Sequence, residues 1–180
     1  MYKLKNESES LELVLNDFFA NQSIKQRFKF ICDNNIVGCE KWIQFELYKF
    51  LKEYEYTAED EVYLEDYFDS DLRKDKTRVK QFIDITFRLR NKQFYIPLEL
   101  KRKNCLALRD IEKDILKNKS IKPTQKYFFR KVFSLLFHPE VDNNKIDIRL
   151  KSLESSVVNY EFSIRIPSTK QMCSVFSSKI

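Results

Sequence analysis

The residues best suited to chemistry in this chain are a few carboxylates and one amine. Asp84 lies in the run Lys80-Gln-Phe-Ile-Asp-Ile-Thr-Phe-Arg88, and Glu99 and Lys101 lie in Phe94-Tyr-Ile-Pro-Leu-Glu-Leu-Lys-Arg102. Ile83, Ile85, Phe87 and Leu89 take alternate positions in the first run. Strand side chains alternate between faces, so Asp84 projects opposite to them. Phe94, Ile96, Leu98 and Leu100 alternate in the same way in the second run, so Glu99 and Lys101 project together. The short connection through Arg90-Asn91-Lys92 is compatible with a hairpin, which would set Asp84 beside Glu99. Two close carboxylates repel and push up each other's pKa. A hard divalent cation removes that penalty: Mg²⁺ takes one or two protein carboxylates and completes its shell with water and phosphate. An amine two residues away is placed to orient or help deprotonate a water, or to hold the phosphate. Metal-assisted phosphodiester hydrolysis without a histidine base is the chemistry this pattern predicts.

A third acid comes from a predicted helix over Cys39 to Tyr54. Ile43, Leu47, Phe50, Leu51 and Tyr54 form one stripe at helical spacing, and Glu40 and Gln44 fall on its N-terminal end. An acid on a core-facing stripe needs a partner. A first-turn acid also complements the helix dipole, and for Glu40 alone both readings stand. Its coincidence with Asp84, Glu99 and Lys101 favours the functional one. Trp42, Phe45 and Tyr48 face elsewhere and are expected to pack the preceding helix.

These groups need a frame. Asn6 to about Phe30 reads as one helix with Ser10 as a possible cap, ended by Asn34-Asn35 and Gly38. Glu61 to Phe68 is a short strand, Asp69 to Lys76 a polar turn, and Arg78 to Arg88 and Phe94 to Lys101 are strands. Leu106 to Lys117 is a helix with Leu108, Ile111 and Ile115 on one side. Lys126 to Phe137, Ile146 to Leu150 and Val157 to Ile166 read as strands. Residues 168–180, rich in Ser and Lys, read as a tail. Pro97 lacks an N–H for a strand ladder and predicts a bulge or an unpaired edge.

Composition bounds the rest. The chain has 180 residues, 43% hydrophobic, with one Gly and four Pro. That is one domain's worth, and it excludes disordered and collagen-like classes. No stretch approaches a membrane span and no apolar leader follows Met1, so a cytoplasmic protein without membrane contact is expected. Cys32, Cys39, Cys105 and Cys173 form no Cys-x-x-Cys, and His138 is the one histidine. Reduced, indifferent thiols are therefore expected in place of a zinc site or disulfides, and a structural role is expected for His138. Net charge is +6, but Glu53 to Asp71 holds nine acids and no Lys or Arg. The remainder carries 33 basic against 18 acidic residues, a footprint suited to phosphate backbones. The acidic stretch reads as a solvated loop or edge strand. On the helix after Lys101, Arg109, Lys113 and Lys117 are available to phosphates, but Asp110, Glu112 and Asp114 support a solvated face.

The arrangement resembles the PD-(D/E)XK nuclease superfamily. The resemblance rests on Glu40 in Gly38-Cys-Glu-Lys-Trp-Ile-Gln, Asp84 in Phe-Ile-Asp-Ile-Thr, Leu98-Glu-Leu-Lys101, and the helix that follows, and it covers roughly Gly38 to Phe137. Ile83 stands where the family's signature Pro would be. The resemblance implies an α/β, restriction-endonuclease-like fold: a mixed central sheet flanked by helices in the order α-α-β-β-β-α-β-β. Residues 1–37 would pack on a core of 38–167 within one domain. It implies that Asp84, Glu99 and the Leu100 carbonyl, with Glu40, bind Mg²⁺ or Mn²⁺, that Lys101 is catalytic and that Gln44 is accessory. Arg102, Lys103 and Arg109 are the expected nucleic-acid contacts. The expected activity is endonucleolytic cleavage, of DNA sooner than RNA, with target choice from a homodimer or a partner protein. The alternative is an inactive nuclease-fold subunit that binds nucleic acid or protein.

Overall fold

Helix formation at the N-terminus is set by two asparagines. In this computed structural model, which describes residues 6–69, 80–90, 92–103, 106–118, 121, 128–151 and 158–179, Asn6 caps α1 (Glu7–Ala20). Its Oδ1 accepts the Glu9 N–H at 2.9 Å. Asn21 ends that helix and caps α2 (Gln22–Asp33), accepting the N–H groups of Ser23 and Ile24. The single helix expected over Asn6 to Phe30 is therefore two. Ser10 lies inside α1, its hydroxyl bonded back to the Asn6 carbonyl, and is not a cap. Gly38, at φ +72°, turns the chain into α3 (Glu40–Glu53) through a left-handed conformation that suits glycine.

Among the described residues six strands follow: β1 (Thr57–Asp69), β2 (Lys80–Leu89), β3 (Ile96–Arg102), β4 (Lys131–Pro139), β5 (Asn159–Arg165) and β6 (Gln171–Lys179). They form one mixed sheet in the order β1-β2-β3-β4-β6-β5. β3 and β4 run parallel, joined by α4 (Leu108–Asn118), and every other pair is antiparallel. The β2–β3 register passes through Thr86↔Pro97 without a bulge, and the β3–β4 register begins at Leu98, so of the two expectations for Pro97 the unpaired edge is the one seen, on the β4 side. The acid-rich stretch supplies the edge strand β1, where charge deters further pairing.

Helices cover both faces. α1, α2 and α3 bury Leu15, Phe18, Phe28, Ile43 and Leu47 against Ile85, Phe87, Leu98, Leu100 and Leu135. Across the sheet, Leu108, Ile111 and Ile115 of α4 pack with Ile146 on Leu136 and Phe176. Trp42 meets Phe28 of α2 edge-on at 5.4 Å, but Phe45 is exposed, against expectation. Phe129 is buried and Phe128 exposed, and Tyr127 lies outside the described residues, as do Cys105 and the expected turn after Asp69.

Two expectations fail in the C-terminal third. Ile146 to Leu150, read as a strand, belongs to helix α5 (Asn143–Lys151), whose Asn144 N–H is held by Asp142 Oδ1 at 2.8 Å. The expected tail is β6, a strand inside the sheet between β4 and β5. The element order is thus α-α-α-β-β-β-α-β-α-β-β. Among the described residues no helix is long and apolar enough to cross a membrane.

Candidate active site

The site begins where two strands part. The β2–β3 ladder ends at Ile85↔Leu98, while β3 stays paired with β4 as far as Arg102. Beyond Leu98, alternate N–H groups of β3 lose their β2 partner, and carboxylates take them. Asp84 Oδ2 accepts the Leu100 N–H at 2.8 Å, and Glu40 Oε2 accepts the Arg102 N–H at 3.0 Å. The Asp84 carbonyl, facing the same fork, is held by Gln44 Nε2 at 3.0 Å. Such groups are costly to bury unpaired, so α3 and β2 are locked to β3 by the residues the spacing singled out. Among the described residues, Asp84, Glu40 and Glu99 each keep one oxygen without a hydrogen bond.

Glu99 faces α4 and is 7% exposed. Burial, and then the charge of Asp84, push its carboxyl up to about 8 against the pull of Lys117. Lys117 Nζ lies 3.7 Å from Glu99 Oε1, and Asn118 Nδ2 lies 3.4 Å from the same atom. Lys101 projects from the same face, but its partner is Asp114 of α4, at 3.4 Å. Burial lowers the Lys101 pKa, and Asp114, Glu40 and Glu99 more than offset it, leaving a net rise. A lysine held so is a cation at neutral pH. Lys41 pairs with Glu65 and stands 3.9 Å from Asp84 Oδ1.

The expected basic contacts divide. Lys103 pairs with Asp110 at 3.0 Å on the rim, and Arg109 is exposed on α4. The Arg102 guanidinium instead holds the loop before α3, bonding the Ile36 carbonyl and Cys39 Sγ. Cys39, Arg102 and Lys103 line a 260 Å³ recess with Val37, Gly38 and Glu40. An apolar groove of 490 Å³ continues from it past Phe30 and Trp42.

Sequence reasoning missed Asp114 and Asn118, and it read Lys117 only as a possible phosphate contact on a solvated face. Their signal was present: positions 114, 117 and 118 flank the Ile111–Ile115 stripe on the side turned to β3. His138 is buried and structural: its ring bonds Ser174, which bonds Ser163 in turn. Burial, aided by Arg149, lowers its pKa.

Hard oxygen donors in a carboxylate pair suit Mg²⁺ or Mn²⁺, which need only one or two such ligands from protein. Glu99 fits this directly, being a buried carboxyl that a cation would relieve. Among the described residues, though, no three His, Cys, Asp or Glu side chains close on one point. Glu40 is bonded to the strand edge through the Arg102 N–H, and Asp84 lies near enough to Glu99 for its charge to raise the Glu99 pKa. Comparison with protein-family models, curated proteins and solved structures returns no match.

Proposed function

We propose that the protein is a metal-dependent endonuclease of the PD-(D/E)XK kind, hydrolysing phosphodiester bonds, with DNA as the expected substrate. The observation that carries this reading is the fork between β2 and β3. There Asp84 caps Leu100, beside a buried Glu99 and with Lys101 on the same face. In this reading Asp84 and Glu99 hold Mg²⁺ or Mn²⁺, with the Leu100 carbonyl as a further ligand. When bound, the ion supplies an activated water and neutralises phosphate charge. Lys101, kept protonated, orients the attacking water or a phosphate oxygen. Glu40 and Gln44 fix the geometry by holding the Arg102 N–H and the Asp84 carbonyl. Lys103 and Arg109 meet the flanking backbone, and Arg102 shapes the recess beside them. Target choice falls to a second copy of the chain or a partner protein.

Plasmid and single-stranded DNA cleavage with Mg²⁺ or Mn²⁺ tests the proposal. Asp84→Asn and Lys101→Ala are each expected to lose at least about a hundredfold in rate, the scale of losing one electrostatic group at a reacting centre. Equal cutting by the wild type and both variants would end the assignment. Mg²⁺ titration by calorimetry separates it from the inactive-subunit reading, in which no ion binds.

A further inference from the structure

Arg102 is anchored by one side of its guanidinium only. Nη1 donates to the Ile36 carbonyl and to Cys39 Sγ. Among the described residues, Nε and Nη2 donate to nothing, and no carboxylate lies within ion-pair distance of the group. The Nε–Nη2 edge is a planar fork that matches two oxygens of a phosphate, and the two Nη1 bonds fix its orientation beforehand. Lys103 lines the same recess, paired with Asp110. Glu40 lines it too, but its Oε2 is taken by the Arg102 N–H, so two cations meet one committed carboxylate. The recess runs into the apolar groove, and the two share Val37, Gly38 and Cys39. At 490 Å³ the groove has the size of a small-ligand cleft. Phe30 comes to it from α2 and Trp42 from α3. Phe30 is 62% exposed, while Trp42 is braced edge-on by Phe28. A cleft with a cationic end and an aromatic arm matches a nucleotide, whose phosphate needs the one and whose flat base stacks in the other. A second copy docked about a two-fold axis would set its own Arg102 and Lys103 against these, and an uncharged apolar segment would leave the Arg102 fork unmet.

We infer that this cleft binds one unpaired nucleotide of a nucleic-acid strand, its phosphate on the Arg102 fork beside Lys103 and its base against Phe30 and Trp42. A base stacked inside a duplex cannot enter, so the substrate class is single-stranded or locally opened nucleic acid. The inference deepens the nuclease reading, and rests on it for what befalls the strand held next to the fork between β2 and β3.

Trp42 is the one tryptophan in the chain, so its fluorescence reads the groove directly. The test titrates the full chain, in EDTA and low salt so that nothing is cut, with a short single-stranded DNA oligonucleotide. Its abasic counterpart, the same sequence as a duplex, and a Glu-Leu repeat peptide of equal charge serve as comparisons. The single strand is expected to quench Trp42 saturably. The abasic strand and the duplex are expected to leave Trp42 unquenched, and the abasic strand to bind about tenfold more weakly, the scale of one lost base stack. Phe30→Ala is expected to weaken single-strand binding about tenfold and Phe30→Tyr to restore it. Arg102→Lys, which keeps the charge and loses the fork, is expected to weaken it about fivefold. Phe45→Ala, which removes an exposed ring of α3 outside the groove, is expected to change nothing. No quenching by the single strand, equal quenching by the abasic strand, the duplex or the peptide, or unchanged affinity in Phe30→Ala overturns the inference. So does a wild type that sediments as a dimer and becomes a monomer on Phe30→Ala. Cleavage with Mg²⁺ by a wild type that fails this titration keeps the nuclease reading, and quenching without cleavage ends that reading while the nucleotide cleft stands.

Discussion

Replacing Glu99 by glutamine is expected to stabilise the metal-free protein, increasingly so as pH rises. In the unfolded chain this carboxyl ionises near its ordinary value of 4.5, and in the fold burial and Asp84 hold it protonated up to about 8. Between those values the folded state keeps a proton that the unfolded state has lost. The Glu99 contribution therefore erodes stability as pH climbs from about 4.5 to about 8, then levels off. At about 1.36 kcal/mol per pH unit across that window, and allowing for coupling to Asp84, the charged form costs roughly 3–5 kcal/mol. Glutamine keeps the shape and carries no charge. Urea unfolding in EDTA at pH 5.0, 6.5 and 8.5 measures the effect as the difference between variant and wild type. That difference matters because buried His138, with its lowered pKa, makes stability rise with pH over part of the same range in both proteins. The gap is expected to be about 1 kcal/mol or less at pH 5.0 and roughly 3–5 kcal/mol at pH 8.5. A gap that does not change with pH, or a variant less stable than wild type at pH 8.5, would refute the placement of Glu99 as a buried, charge-coupled carboxyl.

Mg²⁺ binding near pH 7 is expected to release protons from Glu99, read as a calorimetric enthalpy that changes with the ionisation enthalpy of the buffer. Gly38→Ala is expected to lower stability by about 1–2 kcal/mol in urea unfolding, since φ +72° is strained for alanine. The same change is expected to weaken Mg²⁺ binding little, because Glu40 is bonded to the strand edge and not to the carboxylate pair. Deleting residues 171–179 is expected to abolish cooperative unfolding by circular dichroism, because β4 and β5 lose the strand that joins them.

What the sequence disclosed depended on how one-sided each element is. In β2 the alternation showed in part: Ile85 and Phe87 are buried together, while Asp84 between the apolar positions is half-buried and reaches the Leu100 N–H. α3 showed its stripe, and Glu40 and Gln44 fell where it said. β6 has both faces covered, and its buried polar residues are serines: Ser174 bonds His138 and Ser163, and Ser177 bonds Glu161. Serines satisfied in this way look like a solvated tail until their partners, 11 to 36 residues away, are known. α5 misled by its alternation of Ile146, Ile148 and Leu150. Only Ile146 is fully buried, and Ile148 is 65% exposed, so the period-two pattern was not the packing pattern. The Asp142 cap was the better signal. The contribution of α4 to the site went unread because Asp114 and Lys117 resemble a solvated charge pattern, and only the crossover from β3 to β4 lays them over Glu99 and Lys101.

The insertion of β6 between β4 and β5 also orders events during synthesis. β5 leaves the ribosome before the strand that ties it to the sheet, so for that interval its backbone edge and the flank of β4 stand open. At translation speeds of about 5–20 residues per second the exposure lasts on the order of a second. The nascent chain is then most vulnerable to intermolecular strand exchange, and a chaperone that shields β4 at that moment would act on yield without touching the finished protein.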